Sequence, residues 1–215
     1  MTVPSKSMQN KAVPLVIIGA STGGTRVLPY LFERIPRLAA KILIVQHIPA
    51  FISSMFATTL RAHSHMPVKL VEENDTLEPG VIFLTPGDRH CTLSRNHYLH
   101  LSEGPKVNYV RPSVDVTLFS VQAPEKGGQL AGVILTGMED DGAASLKYLK
   151  GLGATTIAQD QASCAVFGMP QCAIETGCVD YVLPPKEIAW WLTTAFGQGT
   201  NATLRHPGAL QAVAG

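Results

Sequence analysis

The chain has no apolar run of about eighteen residues, so it offers no membrane-spanning helix. It has little charge of either sign: 17 Lys and Arg stand against 16 Asp and Glu, for a net charge of +1. No global field therefore favours nucleic acid or an anionic lipid surface, and a polyanion would need a local patch. There are only 4 cysteines (Cys91, Cys164, Cys172 and Cys178), and none forms a C-x-x-C pair. Buried free thiols are expected rather than disulfides or a metal site. His97 and His100 flank a strand-like piece in which neighbours alternate faces, so a solvated or packing role is expected there too. Residues Met1 to Lys11 are polar and lack the apolar core of a signal peptide, which makes a cytoplasmic location the default. No internal repeat is visible.

What is present is apolar and globular. Hydrophobic residues make up 46% and charged residues 15% of 215 residues, enough for one sizeable α/β domain. Apolar runs at Leu15–Gly19, Ile42–Gln46, Leu130–Thr136, Thr155–Ala158 and Asp180–Leu183 read as strands. Their lack of alternation suits a parallel sheet covered on both faces. Helices are expected over about 23–34, 49–62, 112–123 and 142–149, after Pro170, and over 186–195. Pro29 predicts a late start or a kink in the first. Phe51, Met55, Phe56 and Leu60 are expected on one side of the second. Short strands at 68–71, 81–85, 91–93 and 98–101, separated by Pro-Gly and polar turns, read as a partly antiparallel β insertion around 67–101. The alternation predicts a doubly wound, mostly parallel, three-layer α/β domain over 14–196. Residues 1–13 and 197–215 read as a flexible and a disordered tail.

The chemistry lies at the strand ends. Gly19-Ala20-Ser21-Thr22-Gly23 fits the G-x-S-x-G nucleophile elbow, which exposes a serine on a sharp strand-to-helix turn. In such sheets ligands sit at the carboxyl ends of the strands, near the switch in strand order. The second strand delivers His47 to that rim, and the strand before residue 137 delivers Asp140 and Asp141. A serine hydroxyl becomes a nucleophile when an imidazole takes its proton and a carboxylate orients that imidazole. Each residue has a plainer reading: Ser21 as a helix N-cap, His47 as a helix-entry residue, and either aspartate as the cap of the helix from Gly142. Their joint occurrence favours the hydrolytic reading. Backbone N–H groups after Ser21 and in the Gly137-Met138 turn could hold an oxyanion.

The blocks Ile-Gly-Ala-Ser-Thr-Gly-Gly (18–24), Gln-His-Ile-Pro (46–49), Pro-Gly-Asp-Arg-His (86–90), Arg-Pro-Ser-Val-Asp-Val (111–116), Leu-Thr-Gly-Met-x-x-Asp-Gly (135–142) and Val-Phe-Gly-Met-Pro (166–170) resemble the catalytic domain of the CheB-type chemotaxis protein-glutamate methylesterases. The resemblance spans about 14–195 in the family's order. It implies hydrolysis of glutamate γ-methyl esters on the cytoplasmic helices of methyl-accepting chemoreceptors, with release of methanol. Deamidation of receptor glutamine is a related family activity. It implies Ser21 as nucleophile, His47 as base and Asp141, rather than Asp140, as acid. Met138 matches the oxyanion-region methionine through its backbone, and Thr22 lines the site. No cofactor and no metal is implied. Arg111, Ser113 and Asp115 fall in a further family block, where capping and packing compete with substrate contact.

The chain departs from the pattern in places. Glu139 stands where the family usually has glycine, which predicts altered backbone geometry beside the acid or an altered substrate preference. Asn74 also replaces a common glycine, with little effect expected because asparagine tolerates the left-handed region. Most relatives carry a receiver domain ahead of the esterase. About thirteen residues precede the first strand here, against the order of 100 that a domain needs, so either an excised domain or a stand-alone form is expected.

Two other functions compete. In a non-enzymatic nucleotide-binding module, glycines after the first strand would cradle phosphate. The G-x-G-x-x-G pattern fails at Ser21, and no acidic residue closes the second strand. A general small-ester α/β-hydrolase would share the elbow but would place its acid before its histidine.

Overall fold

The structure is a computed structural model that describes residues 12–124 and 128–197. The two expected tails lie outside these residues, except for Ala12 and Val13 at the start and Gly197, which bridges to Leu38.

The first strand, β1 (Leu15–Ala20), is buried along its whole length. Its alternate residues feed opposite cores. Val16, Ile18 and Ala20 join one, and Leu15 and Ile17 join the other. A strand with period-two burial on both faces cannot show a polar–apolar alternation, which is why its sequence reads as a continuous run. The same holds for β2 (Lys41–Gln46) and for β7 (Leu130–Ile134). With β3 (Val68–Leu70), β4 (Ile82–Leu84), β8 (Thr155–Gln159) and β9 (Tyr181–Leu183) they form one parallel sheet in the order β3-β4-β2-β1-β7-β8-β9. Helices α1 (Gly24–Phe32), α2 (Ala50–Ala62) and α6 (Pro185–Phe196) cover one face. Helices α3 (Val114–Phe119), α4 (Ala143–Gly151) and α5 (Gly168–Glu175) cover the other. The expected three-layer, doubly wound α/β fold is the observed one.

The β insertion is smaller than expected. Among the described residues, β5 (His90–Leu93) and β6 (Leu99–Ser102) are the two strands that pair antiparallel, apart from the main sheet, with an isolated antiparallel bridge from Thr76 to Tyr98 beside them. Strands β3 and β4 are parallel and extend the main sheet at its edge. Ile82 and Leu84 enter one core and Phe83 the other, so β4 needs cover on both faces, which only the large sheet provides. Asn74 does take the left-handed conformation, with φ 64°.

Two helices also depart from expectation. Helix α1 starts without delay at Gly24 and carries Pro29, buried, within it. In α2 the inward face is Ser53, Phe56, Ala57 and Leu60, while Phe51 and Met55 are exposed. Residues 51 and 55 lie one turn apart, but 56 is about 100° round from 55, so the four apolar residues never shared one side.

The chain winds outward from β1 to β2 and to the edge strand β3, steps back to β4 between them, then returns to lay β7 on the other side of β1. The switch in strand order therefore falls at β1, and the carboxyl ends are level there. Ala20 pairs with Gln46, and Gly19 pairs with Ile134. Whatever follows β1, β2 and β7 must emerge side by side.

Candidate active site

Ser21 directly follows β1. Its backbone N–H donates to the Thr136 carbonyl at 3.0 Å, and its carbonyl accepts from Gly24 N–H at 2.8 Å. Gly23 turns the chain with φ 90° and precedes the helix. Two tight approaches hold the elbow. A Cβ on Gly23 would meet Ala165 Cβ at 2.6 Å, and one on Gly24 would meet Gln46 Oε1 at 2.0 Å. These glycines are thus accounted for by packing. Gly137 presses on the serine itself: a Cβ there would meet Ser21 Cβ at 2.8 Å and Met169 Sδ at 2.2 Å.

His47 follows β2, its N–H bonded to the Ala20 carbonyl at 3.0 Å. Its Nε2 lies 2.8 Å from Asp141 Oδ2. An ionised carboxylate only accepts, so Nε2 carries the proton and Nδ1 keeps its lone pair. Nδ1 is buried and has no hydrogen-bond partner. The imidazole is therefore an oriented base whose Nδ1 is left to accept a proton, and no hydrogen bond joins it to Ser21 Oγ. Loose apo geometry is common at such sites and tightens on substrate binding.

Asp141 is fully buried, with a side-chain exposure of 1%. Its carboxylate sits on the N-terminus of α3. Oδ2 accepts from Val114 N–H at 2.6 Å, and Oδ1 accepts from Asp115 N–H at 3.2 Å, Ser113 Oγ at 2.7 Å and Asn108 Nδ2 at 3.1 Å. Ser113 is the N-cap and takes Val116 N–H at 3.3 Å. Burial raises the Asp141 carboxyl pKa. The hydrogen bonds from His47 and Ser113, the His47 charge and the Val114 N–H outweigh it and hold the carboxyl below its ordinary value. Close packing brings α3 into place: a Cβ on Gly19 or on Gly142 would strike Val114 at 2.7 Å or 2.9 Å. Asp140 takes no such position. It is exposed, and its carbonyl accepts from Ala143 N–H at the start of α4.

Thr22 and Met138 flank the serine. The Thr22 side chain is exposed, and its carbonyl accepts from Thr136 Oγ1 at 2.9 Å. Met138 is 63% exposed and follows the Gly137 turn, whose carbonyl takes Gly168 N–H and Met169 N–H at the start of α5. Among the described residues, none accepts a hydrogen bond from the Thr22 or Met138 backbone N–H. Neither donor is engaged within the fold, and the positive end of α1 lies directly after Thr22 and Gly23.

Arg111 and Asp115 act in the scaffold. Arg111 Nη1 donates to the Glu103 and Gly104 carbonyls at 2.7 Å and 2.8 Å. Asp115 Oδ1 accepts from Ser145 N–H in the first turn of α4 at 3.1 Å. Glu139 is left-handed, with φ 72°, a conformation that glycine takes readily.

Two residues were not foreseen. Gln46, at the buried end of β2, donates from Nε2 to the Ser21 carbonyl at 2.9 Å and to the His47 carbonyl at 3.1 Å, and so clips the serine loop to the histidine loop. The only trace of this in the sequence is a polar residue closing an apolar strand. Asn108 bridges Asp115 Oδ2 at 2.8 Å and Asp141 Oδ1. Nothing in its neighbourhood in sequence announces that role. His97 has φ 61° in the β5–β6 turn, and His100 Nδ1 is 3.1 Å from Glu73 Oε1. Among the described residues, no group of three or more His, Cys, Asp or Glu is placed to hold a metal ion, and all four cysteines are free. Cys91 and Cys178 are buried, the other two half-buried, and burial pushes the Cys91 thiol up to about 12.

Comparison with known proteins agrees with this geometry. The family described as CheB methylesterase matches residues 16–192. The chain is 44% identical over 188 residues to a Geobacter metallireducens protein named protein-glutamate methylesterase/protein-glutamine glutaminase 3, covering 86% of this chain and 53% of that one. It is 45% identical over 172 residues to a Photorhabdus laumondii protein-glutamate methylesterase/protein-glutamine glutaminase, covering 79% and 49%. The chain thus spans about half the length of these curated relatives. The crystal structure of the Thermotoga maritima CheB methylesterase catalytic domain superposes with a TM-score of 0.78 at 37% identity, covering 84% of this chain and 97% of that one. With six sequence blocks, the sheet order and the rim geometry all in agreement, the chain belongs to the CheB methylesterase family.

Proposed function

We propose that residues 14–196 form a serine esterase domain that hydrolyses glutamate γ-methyl esters on the cytoplasmic helices of methyl-accepting chemoreceptors and also deamidates receptor glutamines. The observation that carries this reading is the 2.8 Å bond from His47 Nε2 to Asp141, which leaves the buried Nδ1 without a partner. Ser21 Oγ attacks the ester carbon as His47 Nδ1 takes its proton. The Thr22 and Met138 N–H groups receive the oxyanion. The imidazolium then protonates the departing methoxide, and methanol leaves. Water, deprotonated by the same nitrogen, attacks the acyl-enzyme, and the serine recovers its proton as the glutamate is released. Asp141 stays ionised throughout, and every proton moved is accounted for without a cofactor or metal. The protein works in the cytoplasm on a protein substrate, not on nucleic acid. Among the described residues no helix is long and apolar enough to cross a membrane. Mass spectrometry of a methylated receptor fragment incubated with the parental protein and with Ser21→Ala tests the assignment. Methanol release should fall by a factor of the order of 10⁴ or more in the variant. Release at the parental rate removes the serine mechanism.

A further inference from the structure

The segment that carries Asn108 is a two-residue hairpin. Val107 and Val110 exchange both backbone hydrogen bonds, at 3.1 Å and 3.0 Å, and the central residues have φ 50° at Asn108 and φ 63° at Tyr109. Positive φ at both centres is the type I′ pattern, in which the second position is normally glycine. A bulky aromatic side chain in the left-handed region is an outlier that the surroundings must impose. They do so from one side only. Asn108 is anchored by its bonds to Asp115 and Asp141, whereas Tyr109 is 86% exposed. Among the described residues, no hydrogen bond takes its hydroxyl. The turn therefore spends strain to hold an unpacked ring one residue from the partner of the acid. Two more exposed apolar side chains stand close to the same site in the chain: Met138 beside Gly137, and Phe51 at 85% exposure four residues after His47. A small ligand is held in an enclosed pocket, whereas exposed apolar side chains on the segments that carry the site residues suit a large polypeptide surface.

We infer that Tyr109 is a substrate-contacting residue that sets specificity by packing its ring on an apolar side chain of the helix bearing the esterified glutamate. This rests on the proposed esterase reading. The test is steady-state demethylation of a methylated receptor fragment by the parental protein, Tyr109→Gly and Tyr109→Phe. Glycine keeps the turn and removes its strain while deleting the ring. The expected result is a KM about tenfold higher for Tyr109→Gly, with kcat within about threefold and the melting temperature equal or higher, and recovery of the parental KM in Tyr109→Phe. An unchanged KM in Tyr109→Gly overturns the inference, because the residue then serves only the turn. So does a fall in kcat alone. A parental protein that releases no methanol from the fragment removes the esterase reading itself, so the two failures are told apart.

Discussion

His47 and Asp141 lie 94 residues apart in sequence and 2.8 Å apart in space, joined through Nε2 rather than Nδ1. That choice of nitrogen sets the direction of the site. The Nε2 end is locked into the α3 N-terminus through Asp141, and Nδ1 is left buried without a partner. The aspartate holds three roles together: it fixes the tautomer, caps the helix and receives the Ser113 hydroxyl.

Asp141→Asn should damage both function and fold. An amide nitrogen in that place sets a donor against the donors of Val114, Asp115 or His47. Leaving such buried groups unpaired costs about 3 kcal/mol. Denaturant titration should show that loss. Methanol release should fall by about 10⁴-fold, because the imidazole loses its preferred tautomer. Parental stability together with parental turnover would place the carboxylate outside the mechanism.

Acid should unfold the protein through the same group. The Asp141 carboxyl is held below its ordinary value in the fold, so its contribution is fully present above the unfolded value near 3.9 and is lost as pH falls through the lower folded value. Asp180 behaves alike: its burial is outweighed by Lys150 Nζ at 2.5 Å and the Thr156 N–H. The urea midpoint should therefore fall steadily below about pH 4, and less steeply in Asp141→Asn, which has one fewer carboxylate to protonate. An identical acid profile in the two proteins contradicts this.

Gln46 clips the two loops that bring serine and histidine together. Gln46→Glu replaces its donor with an oxygen facing two carbonyl oxygens in a buried place. A stability loss of about 2–4 kcal/mol is expected, and kcat should fall more than KM rises. Calorimetry and steady-state kinetics read the two effects. A variant as stable and as active as the parent would show that the loops hold their positions without the clip.

Glu139 occupies a left-handed conformation at φ 72° in the turn ahead of Asp141. Glycine takes that conformation without the Cβ clash, worth about 1–2 kcal/mol, although it adds up to about 1 kcal/mol of unfolded-state entropy. Glu139→Gly should therefore keep or raise stability by up to about 1 kcal/mol. A thermal scan showing a clear loss would mean that the Glu139 side chain makes a compensating contact in solution.

Much of this molecule is legible in one dimension. Apolar runs mark the strands because both faces of a parallel sheet are buried, and the residues just beyond three of those runs (Ser21, His47 and the Asp140-Asp141 pair) mark the rim. The choice between the aspartates came through family resemblance; in the structure Asp141 is buried on the α3 N-terminus and bonded to His47, and Asp140 is exposed. Some errors came from pattern alone. Phe51 and Met55 read as sharing one side of α2 with Phe56 and Leu60, but helical spacing turns them outward.

The order of residue types along the chain determined the layers, the strand ends and the chemistry available at them, since these follow from local periodicity and from what immediately follows each strand. Tertiary structure alone decided that β3 and β4 join the main sheet, that Gln46 and Asn108 serve the site, and which imidazole nitrogen meets the aspartate. Those outcomes depend on which distant segments share a boundary, and no local pattern records a partner that lies tens of residues away.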